Sequence, residues 1–276
     1  VERACIPGEK MGATGVVGLV DSGRPGPCIL LRADMDALPV TDEKEVDYRS
    51  AEAGKTHACG HDAHMAMLIG AASALIEVPP TSGRVKLVFQ PAEERGWGAR
   101  AMLEAGLLEN PSVDAALALH VWSPLPAGQA VARPGPIMAS VDAFSLRVLG
   151  RSTHAARPEE GCDPIPVAAS IIGAAQSLIS RRVPPYERAV LSFTSIHAGT
   201  AFNVIPEAVE MNGTIRTLKP EQRDMLTEAL PHQARHLAGG MEAEVELEWF
   251  EQLPVLVNEA GLCAVAAGNA GDLEMV

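Results

Sequence analysis

Eight consecutive residues, His57-Ala58-Cys59-Gly60-His61-Asp62-Ala63-His64, carry three imidazoles, a thiol and a carboxylate. These are the side chains that bind zinc and similar ions, and so many ligand types at the start of a helix point to half of a metal site. The helix is legible at once. Met65, Leu68, Ile69, Ala72, Leu75 and Ile76 recur at helical spacing over 63–77, and Pro79-Pro80 ends the run.

The other half is sought at strand ends. Apolar runs at 16–20, 28–31, 85–89 and 115–121 read as strands with helices between them. That alternation implies an α/β layer, a mainly parallel sheet flanked by helices, whose ligands sit beyond the strand ends. Glu93 and Glu94 follow the strand at 85–89, where one carboxylate can bind a metal while the other serves as a base. His120 closes the next strand, and Asp34 and Asp36 follow the strand at 28–31. Four element ends bearing such residues argue for one shared site.

The 276 residues suffice for one long domain or two ordinary ones. A 47% hydrophobic and 21% charged content fits a globular chain with a full core, built mainly from aliphatic residues given 4% aromatics. With 22 Lys and Arg against 35 Asp and Glu, a net charge of -13 and no dense basic run, nucleic acid and anionic membrane are poor partners. The longest apolar stretch, 66–78, is too short for a bilayer and holds Glu77. No secretory leader is visible, and five scattered cysteines (Cys5, Cys28, Cys59, Cys162, Cys263) favour a reducing compartment, so the expected location is cytoplasmic.

From about residue 140 the order changes to strand 144–149, helix 164–182, strands 189–197 and 208–218, helix 220–238 and strand 245–250. That is the split β-α-β-β-α-β pattern of a ferredoxin-like second domain. Asp163 is the expected N-cap of its first helix, with Pro164 at the first helical position. Pro231 is expected to kink or split the second. The expected division is 1–139, 140–250 and a return to the first domain over 251–276.

The ordered segments 32–39, 57–64, 90–94, 119–120, 150–158, 203–206 and 213–216 resemble the aminoacylase-type metallopeptidases. That family includes hippurate hydrolase, N-acetyl-diaminopimelate deacetylase and the auxin-conjugate hydrolases, with carboxypeptidase G and acetylornithine deacetylase more distant. The resemblance implies a dinuclear-metal peptidase domain with an inserted lid and dimerisation domain. It implies two divalent ions per subunit, zinc, manganese or cobalt, with Cys59 shared between them and His61, Glu94 and His120 as further ligands. It also implies Glu93 as general acid/base and Asp34 orienting the site from behind the ligands. His154, Asn203 and Arg216 would reach the substrate from the lid of a homodimer, His154 serving the partner's site.

The implied reaction is metal-dependent hydrolysis of the amide bond of an N-acyl amino acid. Rival readings are a dipeptidase or carboxypeptidase of the same superfamily and a catalytically inactive acyl-amino-acid-binding homologue. The family's last metal ligand, a histidine after a Glu-Asp-Phe motif, has no counterpart before Val276, and its opening helix with a His-Pro segment has none after Val1. The chain is therefore expected to be a fragment at both ends, short of one metal ligand.

Overall fold

A computed structural model of the chain describes residues 6–276; Cys5 lies outside the described residues. The chain divides after Pro126 into two compact units. The first contains β1 (Gly8–Met11), β2 (Gly15–Asp21), β3 (Cys28–Asp34), α1 (His61–Glu77), β4 (Arg84–Gln90), α2 (Gly98–Glu104) and β5 (Ala115–Ala118).

These strands form one sheet in the order β1-β2-β4-β3-β5. β3 runs parallel to β4 and β5, but β2 is antiparallel to both β1 and β4. The sheet is therefore mixed, a correction to the mainly parallel sheet expected. The short connection from Met11 to Gly15 makes β1 and β2 antiparallel neighbours, and β2 then pairs antiparallel with β4, a partner distant in sequence. Alternation along the central strands divides the core. Leu87 and Phe89 of β4 pack with Ala33, Leu68 and Ala72 on the α1 side, whereas Val88 packs with Leu30, Met102 and Leu107 on the α2 side. Lys86 is buried in β4, and its ammonium donates to the carbonyls of Leu107, Glu109 and Pro111 at 2.8–2.9 Å, which satisfies all three of its protons.

The second unit runs β6 (Gln129–Ala130), β7 (Gly135–Met138), β8 (Val141–Leu149), β9 (Thr153–His154), α3 (Pro164–Arg182), β10 (Ala189–Ala198) and β11 (Val204–Ile205). It continues with β12 (Ala208–Thr217), α4 (Pro220–Gly239), β13 (Glu244–Leu253), β14 (Leu256–Asn258), α5 (Ala260–Gly268) and β15 (Glu274–Met275). Four strands form an antiparallel sheet in the order β10-β12-β8-β13, the arrangement of a split β-α-β-β-α-β fold. Three two-stranded pairings, β9 with β11, β7 with β14 and β6 with β15, complete the unit.

Period-two patterning places Phe144, Leu146 and Val148 of β8 under α3 and α4, where Ile171, Leu226 and Leu230 meet them. Asp163 caps α3 by accepting from the backbone N–H of Ile165. Of the expected kink or split at Pro231, the split does not occur: α4 is one helix through that residue. Leu226, Leu230, Ala234 and Ala238 are all fully buried along it, and that packing outweighs the one backbone donor proline removes.

Cys28, Cys59, Cys162 and Cys263 are unbridged. Among the described residues no helix is long and apolar enough to cross a membrane.

Candidate metal centre

The site lies in the first unit and is assembled from four places in the chain. The end of β3 supplies Asp34, the start of α1 supplies His61 with Cys59 just before it, the turn after β4 supplies Glu93 and Glu94, and the segment after β5 supplies His120. Three sets of possible ligand atoms lie within 4.8 Å of one another: Cys59, His61 and His120; His61, Glu93 and Glu94; and the wholly buried Asp34, His61 and His64. All the metal ligands expected in this unit are thus brought together, along with the expected base.

Backbone contacts fix the imidazoles. The Nδ1 of His61 lies 3.0 Å from the Asp36 carbonyl, which can only accept, so this nitrogen carries the proton. The Nδ1 of His120 donates in the same way to the Val121 carbonyl at 2.6 Å. Both Nε2 atoms are left with a free lone pair, the state a metal ligand requires. His61 Nε2 is buried with no hydrogen-bond partner, 3.7 Å from Asp34, 3.9 Å from Glu94 and 4.0 Å from Glu93. His120 Nε2 lies 3.5 Å from Cys59 Sγ. Two ligands bound to one ion at about 2.0–2.3 Å stand roughly 3.3–3.8 Å apart, so the separations at His61 suit a shared cation, while the Cys59 thiol also lies within hydrogen-bond reach of His120.

Charge points the same way. Burial and the neighbouring Glu94, Glu93 and Asp34 push the Cys59 thiol up to about 11, as expected where acidic groups crowd together. Burial also raises Glu93, with Glu94 and Asp34 adding to it against the opposing pull of Arg32 and His61. Burial alone would raise Asp34, but the His64 hydrogen bond, Arg32 and His61 outweigh it and hold its carboxyl below the usual range. The donor set, thiol, imidazoles and carboxylates around an unpartnered nitrogen, fits divalent cations.

Three residues that the sequence marks without giving them an individual role support the site. His64 accepts the Val121 backbone N–H at Nε2, 2.9 Å away, so its Nδ1 is the protonated nitrogen and donates to Asp34 at 2.6 Å. Both ring nitrogens are spent, which makes it a support and not a ligand in this arrangement. Asp36 holds His61 through its carbonyl and the Glu94 backbone N–H through Oδ2. Arg32 bridges Gln90 and Asp34. The spacing of His61 and His64, one face of α1, was the available signal for the first. Carbonyl contacts such as that of Asp36 leave none.

Two backbone features shape the loops. Ala92 adopts φ 48, a left-handed conformation immediately before Glu93. Gly60, at φ 80, sits under Val121, and a Cβ there would lie 2.3 Å from Val121 Cγ2.

The remaining expected residues belong to the second unit. His154 ends β9 opposite Val204, and the Ala155 N–H donates to the Asn203 carbonyl, so His154 and Asn203 share one exposed ribbon. His154 Nδ1 accepts from the Ala156 N–H, which leaves Nε2–H as a free donor. Arg216 lies on β12, its Nη1 donating to Thr214.

The model of peptidase family M20/M25/M40 matches residues 30–274. The chain is 40% identical over 261 residues to N-acetylcysteine deacetylase of Bacillus subtilis, covering 94% of this chain and 68% of that protein. It is 40% identical over 249 residues to thermostable carboxypeptidase 2 of Saccharolobus solfataricus, covering 89% and 63%. A solved dinuclear metal binding peptidase of the M20 family from Bacillus subtilis superposes with a TM-score of 0.83 at 35% identity, covering all of this chain and 72% of that one. The chain thus spans about two thirds of the length of its curated relatives.

Proposed function

The chain belongs to peptidase family M20/M25/M40 and is by class a metal-dependent amidohydrolase, and we propose that its reaction is hydrolysis of the amide bond of N-acyl amino acids. The observation that carries this reading is the approach of His61 Nε2 to Glu93 and Glu94 and of His120 Nε2 to Cys59, the two groups meeting at His61. Cys59, His61, Glu94 and His120 are the residues that would hold two divalent ions, zinc, manganese or cobalt. Such ions polarise a carbonyl and acidify water when bound.

Glu93 acts as the base. It takes a proton from the attacking water and returns it to the departing nitrogen, a role for which a half-buried carboxylate beside the ligands is suited. Asp34, held by His64 and Arg32, keeps His61 in place from behind. From the second unit, a lid and dimerisation domain on this reading, the His154 Nε2–H donates to the developing oxyanion of the partner's site. Asn203 and Arg216 grip the substrate carboxylate, which a guanidinium can meet with two parallel bonds.

The carboxypeptidase relative supports a second reading, release of a C-terminal residue from a peptide. One panel separates the two. Free amino acid released from N-acetyl and N-benzoyl amino acids, abolished by a chelator and restored by zinc, manganese or cobalt, supports the first. Release from unblocked dipeptides alone supports the second, and release from neither sinks both.

A further inference from the structure

Between α3 and α4 the second unit carries a groove of about 570 Å³. Its polar lining is Ser177, Arg181 and Arg182 from α3 and His232, Gln233 and His236 from α4, and the remainder is aliphatic. No carboxylate lines it, in a chain where Asp and Glu outnumber Lys and Arg by 35 to 22. Nor are the guanidiniums neutralised from elsewhere: among the described residues neither Arg181 nor Arg182 has an ion-pair partner. Both also border a neighbouring groove of about 750 Å³, whose one carboxylate, Glu187, is engaged by Lys219. Adjacent cations without a counter-charge repel each other, and an anion that settles between them removes that cost.

The C-terminal end of a helix favours basic residues, which accounts for Arg181 and Arg182 but not for the wall that faces them. On that wall His232 and His236 stack one turn apart, ring centroids 4.1 Å from each other, and the Nδ1 of His236 donates to the His232 carbonyl at 2.8 Å. Gln233 reaches across the groove, its amide nitrogen donating to the Ser177 hydroxyl at 3.4 Å. Both walls therefore offer N–H donors and neither offers an acid. A carboxylate presents two oxygens in one plane and is satisfied by one guanidinium fork, whereas a phosphate has oxygens on all sides and can meet both walls together. Nucleic acid is the wrong carrier of that phosphate, because its chain would continue over a surface of net charge -13.

We propose that the groove between α3 and α4 binds a small phosphate-bearing molecule, at residues none of which belongs to the metal centre. The chain has eight histidines, so its imidazole Cε1–H signals can be followed one by one, with His232→Gln and His236→Gln identifying two of them. The zinc-loaded protein is titrated with inorganic phosphate at fixed pH and ionic strength. The His232 and His236 signals shift saturably, with a dissociation constant of about 1 mM or below. Arg181→Gln with Arg182→Gln weakens binding by at least about tenfold, because hydrogen bonds to charged groups are the stronger class. Arg188→Gln with Arg235→Gln removes the same charge from exposed positions outside the groove and changes binding by less than about twofold. Succinate, a dianion without a tetrahedral head, binds at least about fivefold more weakly than phosphate. Shifts confined to the histidines of the first unit, equal weakening by the two double variants, or succinate binding as tight as phosphate overturns the assignment.

Discussion

His64 stands 2.6 Å from Asp34, Nδ1 to Oδ1, and both side chains are about 1% exposed. The pair links α1 to the end of β3, and the opposite nitrogen of the same ring holds the backbone of Val121 beside His120, a proposed ligand. One buried imidazole therefore ties three of the places from which the metal centre is assembled. Burial makes that arrangement obligatory in energy, because each polar atom of the pair would otherwise be stranded.

Replacing His64 by Phe keeps the ring and removes both bonds. Asp34 retains Arg32, the Val121 N–H loses its acceptor, and the ligands of the site lose a common support. The expected result is metal affinity lower by about 10–100-fold, measured by competition with a chelator of known strength. Affinity within about twofold of wild type would show that the site does not depend on this pair.

Glu93→Gln preserves shape and removes the base. We expect metal content close to wild type and turnover reduced by at least about 100-fold. A variant that keeps more than about a tenth of wild-type turnover assigns the proton transfer to another group.

How much of this was legible beforehand depends on whether a residue's role is carried by its side-chain pattern or by what its backbone touches. The repeat of Leu68, Ala72 and their neighbours marked α1, and Asp163 with Pro164 marked the start of α3, because each is a local signal. Cys59, His61, Glu94 and His120 were expected as ligands from their residue types and the family resemblance together, and the structure brings these side chains to one place. The mixed sheet was not, since pairing direction is set by partners distant in sequence. Pro231 does not split α4, because its intrinsic cost is overridden by packing of Leu230 and Ala234, which no local window contains. The strand expected over 115–121 stops at Ala118, and beyond it the Val121 N–H serves His64 instead of a ladder.

Assembly of the active unit can be tested with two disabled proteins. If His154 serves the site of the partner subunit, mixing His154→Ala with Glu93→Gln subunits restores part of the activity, because one hybrid site contains both intact residues. Heterodimers that form without regaining activity would place His154 outside its partner's site.

Asp42 offers a prediction about pH. Its carboxylate accepts the backbone N–H groups of Ser50 and Lys44 and the Thr56 hydroxyl, closing the loop that follows the Leu38–Thr56 bridge. The Ser50 N–H bond chiefly, against the opposing effect of burial, and Lys44 besides, lower its pKa to about 2. A depressed folded pKa means that the carboxylate steadies the loop above the unfolded value of about 3.9 and loses that contribution as pH falls through about 2. The Asp42 side-chain carbon resonance should therefore stay at its ionised position from pH 7 down to about 3. Asp42→Asn should make the 40–56 loop more sensitive to protease at neutral pH. Titration of Asp42 near 4 would refute the loop-closing role.

Gly60 joins Cys59 and His61, the two neighbouring proposed ligands, and its substitution separates two kinds of cost. At φ 80 any L-residue is strained, by about 1–2 kcal/mol, and an alanine Cβ would also lie 2.3 Å from Val121 Cγ2. Gly60→Ala must therefore shift either the start of α1, moving His61, or the 119–122 segment, moving His120. Either shift spoils the convergence of the two Nε2 atoms, so we expect metal affinity to fall by at least about tenfold together with a loss of stability. Adding Val121→Ala removes the clash and leaves the backbone strain, so the double variant should recover most of the metal affinity and only part of the stability. Recovery of neither would mean that the backbone conformation alone sets the ligands, and an unperturbed Gly60→Ala single variant would mean that Val121 does not hold the position from which the site has been reasoned.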